Sequence, residues 1–108
     1  MQVYNIDDFW RGWIIGDFEP SVLRTKGFEV GMVTHKKGED WPRHVHREAD
    51  EYNLLVSGKM EINGTPLSAG AVFVIEKNEV TKPEFLEDCT VVVVKVPSVI
   101  GDKHEMIE

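Results

Sequence analysis

Apolar and polar positions alternate with a period of two in a series of short runs, the signature of half-buried β-strands rather than helices. Phe28 to Thr34, FEVGMVT, reads as a strand in which Gly31 marks a bulge or a close approach of backbone. Further strands are predicted at Glu51 to Val56, Lys59 to Ile62, Thr65 to Leu67 and Ala71 to Ile75. Asn63-Gly64 between two of these is a strong hairpin signal, because both residues tolerate positive φ. Pro66 suits an edge position, and Lys77-Asn78 reads as a turn. TVVVVKV, Thr90 to Val96, has no polar face and is predicted to be buried on both sides. No amphipathic helical stretch separates the strands, so the pattern predicts a closed or sandwiched all-β domain.

The ends depart from this rhythm. Near the N-terminus a short helix is expected from Ile6, with Asp7 and Asp8 in its first turn and Gly12 as its stop. Trp10, Trp13, Ile14 and Ile15 are too many large apolar groups to be solvated together, so residues 1–27 are expected to cover one end of the domain or to reach a second subunit. Residues 97–108, PSVIGDKHEMIE, carry breakers at Pro97 and Gly101 and read as a charged tail.

The chemistry concentrates between Gly38 and Gly58, in GEDWPRHVHREADEYNLLVSG. In an extended segment His44 and His46 share a face, about 6 to 7 Å apart along the backbone, with Val45 and Arg47 opposite. If the run beginning at Glu51 pairs back antiparallel after the Glu48-Ala49-Asp50 turn, its carboxylate faces the two imidazoles. Two imidazoles and a carboxylate suit a divalent ion such as Fe, Mn, Zn or Ni. The same residues also fit a solvated edge strand flanked by acids. Trp41 is a candidate pocket wall, Arg43 and Arg47 read as solvated or paired with acids, and His35 reads as solvated.

The stretch resembles the first motif of the cupin superfamily: glycine, five residues, His-x-His, a short spacer, Glu, six residues, glycine. Gly38, His44, His46, Glu51 and Gly58 match it throughout. The resemblance runs from about Phe28 to Val96. It implies a single jelly-roll β-barrel core over 28–96 and a metal site at His44, His46 and Glu51. In the second motif, SAGAVFVIEKNEVTKPEF, the position eleven residues after Gly70 is Thr81, where a cupin carries its fourth ligand, normally histidine. A hydroxyl ligates weakly beside imidazole, so Thr81, with Trp41 and Asn53, is assigned to the pocket or to a bond with bound water or substrate. Glu79 and Glu84 are nearby alternatives for a carboxylate.

Composition narrows the partners. With 12 basic and 19 acidic residues the net charge is -7, and the basic residues do not cluster, which disfavours nucleic acid. No apolar run approaches the about 20 residues of a membrane span, and no export signal is readable, so cytoplasmic location is the default. Cys89 lacks a partner for a disulfide and reads as a small buried hydrophobe. A chain of 108 residues buries only somewhat over about 60% of its unfolded surface, which with the apolar arm motivates a homodimer. The resemblance adds that small cupins pair through sheet faces and N-terminal strands, in line with Tyr52, Leu54 and Val56 facing away from the pocket.

Two functions follow as expectations. One is a metal-dependent enzyme acting on a small polar or anionic metabolite. The other is a non-enzymatic cupin module that binds a small ligand or a metal and regulates or scaffolds something else. No organic cofactor is expected.

Overall fold

A computed structural model describes residues 1–106; Ile107 and Glu108, the end of the expected tail, lie outside the described residues. Among the described residues there are eleven strands: β1 Trp13–Gly16, β2 Leu23–Arg24, β3 Glu29–His35, β4 His44–His46, β5 Asp50–Ser57, β6 Lys59–Ile62, β7 Thr65–Ser68, β8 Val72–Ile75, β9 Pro83–Phe85, β10 Cys89–Val96 and β11 Lys103–Glu105. They form three sheets, ordered β2-β1-β3-β10-β5-β8, β7-β6-β9 and β11-β4.

The expected all-β class holds, but the single closed barrel does not. All three sheets are open, and none returns to pair with its own first strand. Outside the named strands, two isolated bridges are made among the described residues, Asp40 with Glu84 and His44 with Thr81. The physical reason is strand length. Closure needs every strand to carry a continuous ladder to both neighbours, whereas β4 and β9 have three residues each and β2 has two.

The large sheet has two distinct faces because its register is fixed across four strands. Inward rows contain Val33, Val91 and Leu55, then Gly31, Val93, Asn53 and Phe73, then Glu29, Lys95, Glu51 and Ile75. Leu55, Met60, Phe85, Cys89, Val91 and Val93 form the buried core between this sheet and the β6 sheet. Cys89 is buried at the start of β10, as its small apolar character requires.

Several local expectations are met. Asn63 and Gly64 take φ of 51° and 81°, the two positive values of a type I′ hairpin turn joining β6 to β7. Gly31 is a close approach: a Cβ there would lie 2.7 Å from the Trp13 ring, which packs flat over the glycine. The first segment differs from expectation. In place of one helix there are two 3-10 turns, Ile6–Asp8 and Trp10–Gly12. Asn5 caps the first by a reciprocal bond with Asp8, and extended backbone at Phe9 breaks the run before an α-helical turn can propagate.

Candidate functional site

The histidine strand is held from two directions. β4 pairs antiparallel with β11, setting Val45 opposite His104, and His44 exchanges backbone hydrogen bonds with Thr81, each 2.9 Å. The expected antiparallel return of β5 onto β4 does not occur. The two lie in different sheets, and Glu51 reaches the histidines across the space between them.

That space is a cavity of about 480 Å³, lined by His44, His46, Glu51, Asn53, Thr81 and Trp41 among others. The six residues singled out from the sequence therefore do converge. The apolar part of the wall comes from Phe73, Val91, Val93, Met60, Ile75 and Phe85. Glu79 and Glu84 do not reach it: both are exposed, and neither lines the cavity.

The two imidazoles are differently supported. His44 Nδ1 lies 3.1 Å from the Pro42 carbonyl, an acceptor only, so this nitrogen carries the proton and Nε2 is left as a lone pair. His46 is 3% exposed, and its Nδ1 is 3.5 Å from Glu51 Oε2, long for a hydrogen bond. Its Nε2 is buried without any hydrogen-bond partner, and so is Asn53 Nδ2. Two polar atoms left unbonded in one cavity are uncommon, because each costs about 1–3 kcal/mol when nothing satisfies it.

Burial sets the charge state. It lowers the pKa of His44 and brings that of His46 down to about 4, with the nearby Lys95 and His44 adding to the effect at His46. Burial also raises Glu51, against the opposing field of Lys95 and a side-chain contact from the Asn53 amide, which falls short of hydrogen-bond geometry and leaves Nδ2 able to donate elsewhere. These directions move the His46 and Glu51 pair toward two neutral partners rather than an ion pair.

Lys95 and Lys103 also line the cavity. Lys95 stands on the inward row beside Glu51, with its ammonium 5.0 Å from the centre of the Trp13 ring. Strict alternation through Val91, Val93 and Lys95 carries that signal. Lys103 Nζ lies 3.3 Å from the centre of the Trp41 ring, and desolvation there lowers its pKa to about 8. Trp41 lines the cavity as expected, with its indole N-H donating to Glu39. His35 is not solvated: it is half-buried, stacks on Phe85 with centroids 4.2 Å apart, and shares Glu39 through Nδ1. Burial pushes the Glu39 carboxyl up, but the bonds from Trp41 and His35 outweigh it and hold the pKa below the ordinary value.

Asp102 lies in the stretch expected to be a charged tail. Instead it is 6% exposed, and its carboxylate accepts the backbone N-H groups of Arg47, Glu48 and Ala49. It thereby fixes the turn that follows the histidine strand, and with it the start of β11.

Solved structures of the same architecture are found. A protein with a double-stranded β-helix domain from Klebsiella pneumoniae is 24% identical over 98% of this chain and 99% of its own, with a TM-score of 0.68. KdgF from Halomonas is 25% identical over 70% of this chain and 74% of its own, with a TM-score of 0.63. The fold is cupin-like. A bacterial pirin from Escherichia coli, solved with nickel(II), aligns at 18% identity over 82% of this chain and 39% of its own, TM-score 0.67. No family model and no curated protein sequence matches the chain.

The metal centre expected from this likeness is corrected by the geometry. Among the described residues no group of three or more His, Cys, Asp and Glu side chains is placed to hold a metal ion. Thr81 occupies the position opposite His44 where the pattern calls for another imidazole, and Glu51 is paired with His46, at 3.5 Å. The donor set that remains does not fit the ion.

Proposed function

We propose that this cupin-like chain binds a small polar organic molecule in its cavity without a metal ion. The observation that carries the reading is the pair of buried, unpartnered polar atoms, His46 Nε2 and Asn53 Nδ2, in the cavity wall. A carbonyl or carboxylate oxygen accepts from the Asn53 amide, and a hydroxyl or carboxyl group of the ligand bonds His46. The volume of about 480 Å³ suits a small organic molecule. Phe73, Val91 and Val93 offer its body an apolar bed, and Lys95 and Lys103 favour a carboxylate at the polar end. Hydroxy and oxo acids are the chemical class with this pattern.

The fold does not choose between binding and turnover, since one architecture serves a nickel-bound pirin and a polyketide cyclase. One observation favours turnover as a second reading. Glu51 and His46 are displaced in opposite directions toward a neutral acid and a neutral base 3.5 Å apart, the arrangement needed for moving a proton on a bound carbonyl compound.

Thermal unfolding with a panel of short hydroxy and oxo carboxylates tests the proposal, using protein treated with EDTA. At least one compound is expected to raise Tm in the parent, and the rise should disappear in both His46→Phe and Asn53→Leu. A panel without effect, a rise retained in both variants, or binding lost to EDTA and restored by nickel(II) would overturn it. Appearance of product from the stabilising compound would select the second reading.

A further inference from the structure

All three tryptophans of the chain line the cavity, and each has a cation over its ring. Arg11 Cζ stands 5.3 Å from the centre of the Trp10 ring, Lys95 Nζ 5.0 Å from that of Trp13 and Lys103 Nζ 3.3 Å from that of Trp41. The three cations line the same cavity, and among the described residues none of them forms an ion pair. An indole carries no net charge, so a cation lying over it is held in position while its charge stays available to an anion.

The acids in the same wall are already engaged. Glu19 pairs with Arg24 at 3.0 Å, and Asp102 accepts from the backbone of the turn after β4. Glu29 and Glu51 flank Lys95 in register, on β3 and β5, and burial raises the pKa of both. Lys95 is thus shared with two carboxyl groups, which leaves Arg11 and Lys103 as the cations with no acid paired to them. Burial, then Lys95 and Arg11, lower the Lys103 pKa, so these charges are near enough to repel one another. Arg11 also stands where arginine is not the ordinary choice. Its φ of 52° and ψ of 28° lie in the left-handed region, which favours glycine or asparagine, and strain of this kind collects at ligand sites. Depth separates the polar stations of the cavity: His46 and Asn53 are 3% and 4% exposed, whereas Arg11 and Lys103 are exposed at its mouth.

Building on the binding of a small acid proposed above, we infer that the ligand is a dicarboxylate whose second carboxylate is held at the mouth of the cavity between Arg11 and Lys103. The first carboxylate lies inside, with Asn53 and the field of Lys95. The second takes the guanidinium fork of Arg11 and relieves the repulsion between two unpaired cations. Two depths call for two separate anionic groups, which a single phosphate does not supply.

Titration calorimetry of the EDTA-treated chain tests this with malate, α-oxoglutarate and α-oxoadipate, each against the monocarboxylate of equal length and substitution. At least one dicarboxylate is expected to bind about tenfold or more tightly than its monocarboxylate. Arg11→Gly, which the left-handed backbone accepts, should bring that ratio close to one with an unchanged circular dichroism spectrum. Arg11→Lys, which keeps the charge, should keep part of it, and Lys103→Gln should lower it severalfold. Equal binding within every pair, or a ratio retained in both Arg11→Gly and Lys103→Gln, overturns the inference while the proposed function stands on the monocarboxylates. Absence of binding in either series overturns both together. Tighter binding of phosphoglycolate than of any dicarboxylate overturns the assignment of a second carboxylate.

Discussion

Thr81 and His44 face each other across a single antiparallel bridge, exchanging two backbone hydrogen bonds of 2.9 Å. Residues paired in this way project side chains to the same face. A histidine at 81 would therefore stand beside His44 and His46. Thr81→His is expected to bind zinc(II) or nickel(II) at least about tenfold more tightly than the parent, since imidazole is a far better donor than a hydroxyl. Titration calorimetry of the two proteins checks this, and equal affinities would show that position 81 does not look toward the histidines.

Asn53 sits on an inward row between Val93 and Phe73, with its amide nitrogen unbonded. Asn53→Leu keeps the shape and removes the unpaired donor, so it should stabilise the unliganded protein by about 1–2 kcal/mol in urea unfolding. The same variant should lose ligand binding. A destabilised Asn53→Leu would mean that the amide has a partner in solution.

The pH dependence of stability carries the mark of His46. Its pKa is lowered from 6.5 to about 4 on folding, so between those values the unfolded chain binds a proton that the native state refuses. Stability from this group is whole above about 6.5 and falls as pH drops toward 4, by about 3 kcal/mol in total. Glu51 acts in the opposite sense, because a raised carboxyl pKa costs stability as pH rises above 4.5. The His46 contribution is isolated by comparison with His46→Gln. The difference between parent and variant should change by about 3 kcal/mol between pH 7 and 4, and parallel pH curves would show that His46 titrates normally.

Much of the site was legible because parity is local. Alternation alone puts His44 with His46 and leaves Tyr52, Leu54 and Val56 on the far side, whereas Thr81 is marked only by likeness to the second cupin motif, counted from Gly70. Features that depend on distant pairing were not legible. The carboxylate of Asp102 bonds a turn more than fifty residues earlier, and nothing in GDKHE announces that. His35 beside two lysines reads as solvated, and only the stacking of Phe85 on it shows otherwise. Barrel closure was carried by likeness rather than by strand length, and the three-residue strands could not supply the ladders.

Asp102 offers the sharpest structural variant. Asp102→Ala removes a buried carboxylate that satisfies three backbone donors, a loss of about 3 kcal/mol. Amide hydrogen exchange should rise first at Arg47, Glu48 and Ala49 and along β4 and β11. Unchanged exchange there would mean that water replaces the carboxylate without loss.

The pairing of β4 with β11 also bears on the order in which the protein assembles. The β6 and β7 hairpin closes around two residues and can form early, whereas His46 must find Lys103 across a loop of more than fifty. The histidine strand is thus a late arrival in folding and, by the same reasoning, an early departure in partial unfolding. A ligand bound as proposed would act as a latch on this late-forming part of the chain, and in pulse-labelling exchange β6 should gain protection before β4.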